Sequence, residues 1–207
     1  MRQRINKTTQ PIRSQSDRNA IDTYLMHKNP RDRVMFALGI YTGRRISDLV
    51  RLNVCDVAYV DRKGHLRPSE RLKMIEQKTG KFVDISIHKN VRGILSKYLR
   101  QRRKYSESLG ALLNEPLLKS KKARSDGQFR ITRRHALRIL TDAANACGLP
   151  YKIGTHSLRK TFGYRLYQRG VSIELIQMML NHSSPEITLS YIGITQDDMD
   201  EAILSMD

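Results

Sequence analysis

Tryptophan is absent, cysteine occurs twice, and aromatic residues make up only 6% of the 207 residues. A core drawn from this chain must lean on Leu, Ile, Val and Met, and at this length it can be substantial without disulfide or metal support. Cys55 and Cys147 stand far apart and belong to no CxxC pair. The ligand spacing of a structural zinc site is therefore missing, and two scattered thiols suit a reducing compartment. No apolar run reaches the length of a membrane span, and the basic N-terminal stretch MRQRINKTTQPIRS is not followed by an apolar segment, so it does not read as a secretory signal. A GxxxxGK[ST] phosphate loop is also lacking. These absences lead to the expectation of a cytoplasmic chain with no membrane contact, no cofactor and no bound metal.

Acidic residues are scarce relative to basic ones: 20 Asp and Glu stand against 38 Lys and Arg, a formal charge of +18. Such an excess favours a polyanionic partner, because each phosphate neutralised by Lys or Arg releases condensed counterions. Hydrophobic residues at 39% and charged residues at 28% describe a globular chain rather than a disordered one.

Along the chain, residues 1–15 read as a basic extended arm and residues 16–207 as one domain, with 192–207 as its tail. Ser16 and Asp17 are candidate caps for a first helix, Asn29-Pro30 opens a second that Gly43 ends, and a further helix runs through Ile46, Leu49, Val50 and Leu52. Two alternating runs, Leu72 to Glu76 and Phe82 to Ile87, flank Lys78-Thr79-Gly80-Lys81 and predict a β-hairpin with a Lys-rich tip. An Arg-rich helix follows at about 90–105, and Leu117-Leu118 is a candidate short strand. Helices then fill 132–146 and the stretch from a Thr155 cap to Gly170; two more open at Ser172 and at Ser184-Pro185. The last segment, about 196–206, is acidic and amphipathic, with Met199, Ile203 and Met206. The fold class is mainly α with a small antiparallel β-sheet.

Three segments carry candidate chemistry. THSLRKTFGYRLYQRG places His156 and Arg159 three apart near a helix start, where they share a face and could meet a phosphate together with the positive end of the helix dipole. Alone, such a pair is more often a plain surface pair. TGRRISDL combines a bend at Gly43 with Arg45 at the next helix start and Asp48 placed to hold it, which an ordinary helix corner also explains. LNHSSPEITLSYIG sets His182 at one helix end and Tyr191 on the next. A phenol ionises near pH ~10, so Tyr191 needs cationic neighbours to act as a nucleophile. Among nine tyrosines, physics alone does not select it.

The order of these blocks is what is specific. TGRRISDL, EQKTGKFVDISI, HSLRKTF and LNHSSPEITLSYIG resemble, in sequence, the first-arginine box, lysine hairpin, His-x-x-Arg box and terminal His and Tyr segment of the tyrosine recombinase (phage integrase) family. The resemblance runs from about residue 10 to the end. It implies the tyrosine recombinase catalytic-domain fold and a DNA strand-breaking and rejoining recombinase working through a 3′-phosphotyrosine. The catalytic residues it implies are Arg45, Lys78, His156, Arg159, His182 and Tyr191. It also implies double-stranded DNA as partner, a homotetramer on two DNA sites with a monomer as the DNA-free alternative, and no metal or nucleotide. A type IB topoisomerase-like enzyme and a DNA-binding regulator on the same fold are the alternatives. The chain departs from the family pattern at Arg44 (usually apolar), Lys160 (commonly a second histidine) and Asn181 (usually glycine). The family's N-terminal DNA-clamping domain is not in this sequence; Met1 and the arm TTQPIRS lead to the expectation of a short, catalytic-domain-only integrase rather than a fragment. The tail is a candidate for docking on a neighbouring subunit or on its own.

Overall fold

A computed structural model describes residues 9–123, 125–194, 198, 200 and 203–206. Residues 9–14 run extended along the body: Ile12 is fully buried and its amide donates to Thr161 Oγ1 at 2.8 Å. Helix α1 (Gln15–Lys28) follows, capped by Ser14, whose hydroxyl accepts the Asp17 amide, rather than by Ser16 or Asp17. The Arg18 guanidinium folds back onto the Ile12 and Arg13 carbonyls and fixes the chain entry two residues earlier than the Ser-Ser-Asp cluster suggests. Helix α2 (Pro30–Thr42) has Asn29 as cap and proline in its first turn, and it ends at Gly43 with φ 64°. The next helix, α3 (Ile46–Leu49), is shorter than its apolar spacing predicts, because the Leu52 carbonyl is taken by the Leu117 amide and the chain must leave helical geometry to reach it.

Strands β1 (Ala58–Val60) and β2 (Leu66–Pro68) pair antiparallel, as do β3 (Arg71–Ile75) and β4 (Phe82–Ser86), so the small antiparallel β component consists of two separate two-stranded sheets. In the second, Ile75 opposes Phe82 next to the tip, the position predicted for the lysine hairpin. Helices α4 (Lys89–Arg103) and α5 (Leu109–Asn114) come next. Leu117 and Leu118 form no strand; the chain there makes isolated bridges at Asn53–Pro116 and Lys119–Arg130. Helix α6 (Arg133–Ala146) is capped by Thr132. Helix α7 (Thr155–Tyr167) is capped by Gly154, placing Thr155 inside the first turn instead of before it. Helices α8 (Ile173–Leu180) and α9 (Pro185–Ile192) are capped by Ser172 and Ser184 as expected. Of the tail, residues 195–197, 199, 201, 202 and 207 lie outside the described residues, so the tail reading is not addressed there. Among the described residues no helix is long and apolar enough to cross a membrane.

One large core joins α1, α2, α4 and α6 around Phe36, Leu38, Leu95 and Leu140. A smaller one holds Ile176, Leu180 and Ile192 beneath Phe162 and Tyr191. Helix α7 serves both, with Leu158 in the large core and Phe162 at the small one. Its Gly39 and Gly163 contacts are close: a Cβ at Gly163 would stand 2.7 Å from Ile192 Cγ2. At Gly43 the backbone is left-handed and a Cβ would meet Phe162 Cδ1 at 2.4 Å, so only glycine satisfies both the turn and the approach of α7.

Candidate active site

The turn after α2 delivers two adjacent guanidinium groups to one carboxylate. Arg45 sits at the N-cap of α3 and its Nη1 donates to Glu76 Oε2 at 3.0 Å; Arg44, only 4% exposed, donates Nη1 to Glu76 Oε1 at 2.9 Å. Asp48, expected to hold Arg45, instead accepts the Gln77 amide on Oδ1 at 3.0 Å and so pins the root of the hairpin tip. Its Oδ2 is buried without a hydrogen-bond partner among the described residues. Glu76 ends the β3 run, and its carboxylate also accepts the Thr79 hydroxyl at 2.8 Å. Burial works against its ionisation, but Thr79, Arg45 and Arg44 together draw its pKa below the usual range.

Arg159 projects from α7 into the gap between the two cores and is 3% exposed. Its Nη1 donates to the Gly43 carbonyl at 2.6 Å and its Nη2 to the Leu180 carbonyl, so one side chain ties the α2–α3 turn to the end of α8. A guanidinium has five N–H donors, and Arg159 also hydrogen-bonds Tyr191. Burial, reinforced by Arg44, lowers its pKa to about 10, still far above neutrality.

His156, one turn earlier on α7, places Nδ1 at 3.3 Å from the Tyr191 hydroxyl. Burial, together with Arg133, Lys160, Arg159 and Arg45, lowers its pKa from the ordinary imidazole value, which favours the uncharged ring. His182 packs edge-on against the Tyr191 ring with centroids 4.8 Å apart, and its Nδ1 lies 3.2 Å from Thr188 Oγ1. Burial and then Arg159 and Arg45 lower its pKa to about 4. Tyr191 itself is pushed up by burial, a rise that Arg159 and Arg45 oppose. Both shifts favour the uncharged forms of the Tyr191 phenol and the His156 imidazole. Lys160 lies 5.3 Å over the Tyr191 ring, a cation–π contact at the position where the sequence departs from the histidine pattern.

An open cavity of about 220 Å³ is lined by Arg45, Lys78, Arg133, His156 and Arg159, with Ser47 and Thr155 among its polar edges. Five of the six sequence candidates therefore gather by direct contact or shared cavity around Tyr191 and Arg159, and Lys78 reaches the same cavity from an exposed hairpin tip. Glu76 and Arg133 were not legible as site residues. Arg133 follows a cap in an ordinary Arg-rich helix start, and only tertiary structure brings it beside His156. Among the described residues no three His, Cys, Asp or Glu side chains gather as a metal site.

Fold and cavity define a mainly helical domain in which a phenol lies against a histidine of a cationic cavity. The phage integrase family model matches residues 12–197, and the chain belongs to that family. A Bacillus subtilis protein named probable integrase/recombinase YoeC is 42% identical over 91% of this chain and 91% of its own length. A tyrosine recombinase of Pseudothermotoga lettingae is 28% identical over 85% of this chain, which spans 54% of that relative. Among solved structures, the XerA recombinase superposes with a TM-score of 0.70 at 20% identity, covering 96% of this chain and 64% of that one. A lambda integrase tetramer bound to a Holliday junction gives 0.59 at 20% identity, covering 92% and 51%. The mainly α catalytic-domain fold expected from the sequence is the one these neighbours share.

Proposed function

We propose that the chain is a DNA site-specific recombinase that breaks and rejoins strands through Tyr191. The observation that carries this reading is the Tyr191 hydroxyl standing 3.3 Å from His156 Nδ1 beside the buried Arg159. The phenol oxygen attacks the scissile phosphorus in line, and the bond to the 5′ oxygen breaks as the 3′-phosphotyrosine bond forms. His156 Nδ1 takes the phenol proton. Arg45 and Arg159 face the non-bridging oxygens, where charge builds in the transition state and preformed donors act most strongly. His182, packed edge-on against the Tyr191 ring, gives a further hydrogen bond to those oxygens. Lys78 protonates the departing 5′ oxygen. Religation runs the same steps backwards with a 5′ hydroxyl from a partner strand, so no nucleotide or other energy source is consumed.

The net charge of +18 and the cationic cavity suit double-stranded DNA, and exchange between two sites calls for a homotetramer. The test is a nicked suicide duplex followed by denaturing electrophoresis. Wild-type protein should trap a covalent adduct, and Tyr191→Phe should lose it while retaining DNA binding. Adducts persisting in Tyr191→Phe would remove Tyr191 from its role. Relaxation of supercoils without exchange between sites would assign the chain to topoisomerase-like chemistry, and binding without any adduct to a regulator.

A further inference from the structure

Two of the positions where the chain departs from the family pattern, Arg44 and Asn181, touch the same element. Arg44 Nη1 meets Glu76 at the end of the β3 run, and Lys81 Nζ, across the hairpin tip, donates to Asn181 Oδ1 at 2.7 Å. Arg44 Nη2 also donates to the Met179 carbonyl. Three successive residues before His182 are therefore held: Met179 by Arg44, Leu180 by Arg159 and Asn181 by Lys81. Asn181 adopts the left-handed conformation (φ 50°), which asparagine tolerates better than other side-chain-bearing residues, so it ends α8 as a glycine would and adds an acceptor that glycine lacks.

The hairpin needs such support. Ile75 and Phe82, paired beside the tip, are 69% and 67% exposed, and Leu72 is its one side chain in the large core that is fully buried. A two-stranded ribbon whose only fully buried side chain among the described residues is Leu72, with Met74 and Ile85 partly buried against the core, is marginal by itself. The two bridges span a cleft of about 620 Å³ between the hairpin and the end of α8, the Glu76–Arg44 bridge deep within it and the Lys81–Asn181 bridge at its exposed edge. Glu76 also carries Thr79, the residue after Lys78, so the deep bridge continues to the neighbour of the lysine.

We propose that Arg44, Glu76, Lys81 and Asn181 are positioning residues that fasten the Lys78 hairpin to the end of α8, setting Lys78 in place before DNA binds. This rests on the reading of Lys78 as the proton donor to the leaving oxygen. A misplacement of about 1 Å in a reacting group can cost ~10²-fold in rate, so the fastening acts on the chemical step rather than on DNA affinity.

The test combines amide hydrogen exchange with single-turnover cleavage at saturating protein, on an ordinary duplex and on one whose leaving oxygen is replaced by sulfur. A thiolate leaves without protonation, so a defect in acid placement is rescued by sulfur and a defect elsewhere is not. Asn181→Gly and Lys81→Ala should speed exchange across residues 76–82 and slow cleavage of the ordinary duplex about three- to tenfold, and Arg44→Leu about 10²-fold. On the sulfur duplex all three should cleave within about twofold of wild type, as Lys78→Ala should. Unchanged exchange in the two surface variants, or equal loss on both duplexes while Lys78→Ala is rescued, would overturn the fastening. Failure of Lys78→Ala to be rescued would instead overturn the acid role, and the exchange data would still decide the fastening.

Discussion

The large core and the small one are built to different standards. The large core packs more than a dozen fully buried aliphatic side chains and carries Arg45 and Arg159 at its edge. The small core has three buried residues, Ile176, Leu180 and Ile192, yet supports His182 and Tyr191. Apolar burial stabilises by about 25 cal/mol per Å², and most of the hydrophobic residues around this core are only partly buried, so it contributes less than the large one. Polar ties from elsewhere in the chain complete the work: Arg159 on the Leu180 carbonyl, Arg44 on the Met179 carbonyl and Arg13 on the Gly193 carbonyl. The comparison teaches that the arginines serve as struts as well as charges. Arg45 and Arg159 lie at the heavily packed side, and His182 and Tyr191 lie at the lighter one.

Cutting a strut should have the largest effect. Arg159→Lys keeps a cation but has no second planar donor to span from Gly43 to Leu180. We expect cleavage to fall by about 10²–10³-fold together with a lowered melting temperature, measured by single-turnover adduct formation and calorimetry. Retained stability with lost activity would mean that the guanidinium acts on the reacting phosphate and is not a strut. Lys78→Ala should cost about 10²-fold in cleavage with no change in melting temperature, since the side chain is exposed and makes no hydrogen bond within the fold among the described residues. A matching drop in melting temperature would show that the hairpin belongs structurally to the packed body. The smallest effect is on pH dependence. His182, with its folded pKa lowered to about 4, and His156, lowered in the same direction, bind fewer protons folded than unfolded. Their contribution to stability is therefore complete above the unfolded value near ~6.5 and declines as pH falls towards 4. Urea midpoints taken between pH 7 and 4.5 should drop, and His182→Asn should flatten part of that slope; an unaltered slope would place the acid sensitivity elsewhere.

Most of the helices could be read from local chemistry. Asn29-Pro30, Ser172 and Ser184-Pro185 are capping signals that need only neighbours along the chain, and the hairpin follows from alternation around Thr79-Gly80. The errors fall where distant partners intervene. Leu52 gives its carbonyl to Leu117 and shortens α3, and the three-residue strands β1 and β2 are too brief for a period to register. At the site, Asp48 was the natural partner for Arg45 by spacing, but Glu76, thirty-one residues on, takes that place. Its neighbour Gln77 offers Asp48 an amide instead.

The sequence by itself settled the kinds of groups and their order: arginine, lysine, histidine with arginine, then histidine with tyrosine, in a strongly basic chain with the turns that separate them. Which guanidinium bridges, which carboxylate they share and which of nine tyrosines meets an imidazole were decided only by the tertiary structure. The physical reason is range. Capping and alternation act over a few residues, whereas burial and charge pairing depend on groups that only the packed chain brings within a few ångströms of one another.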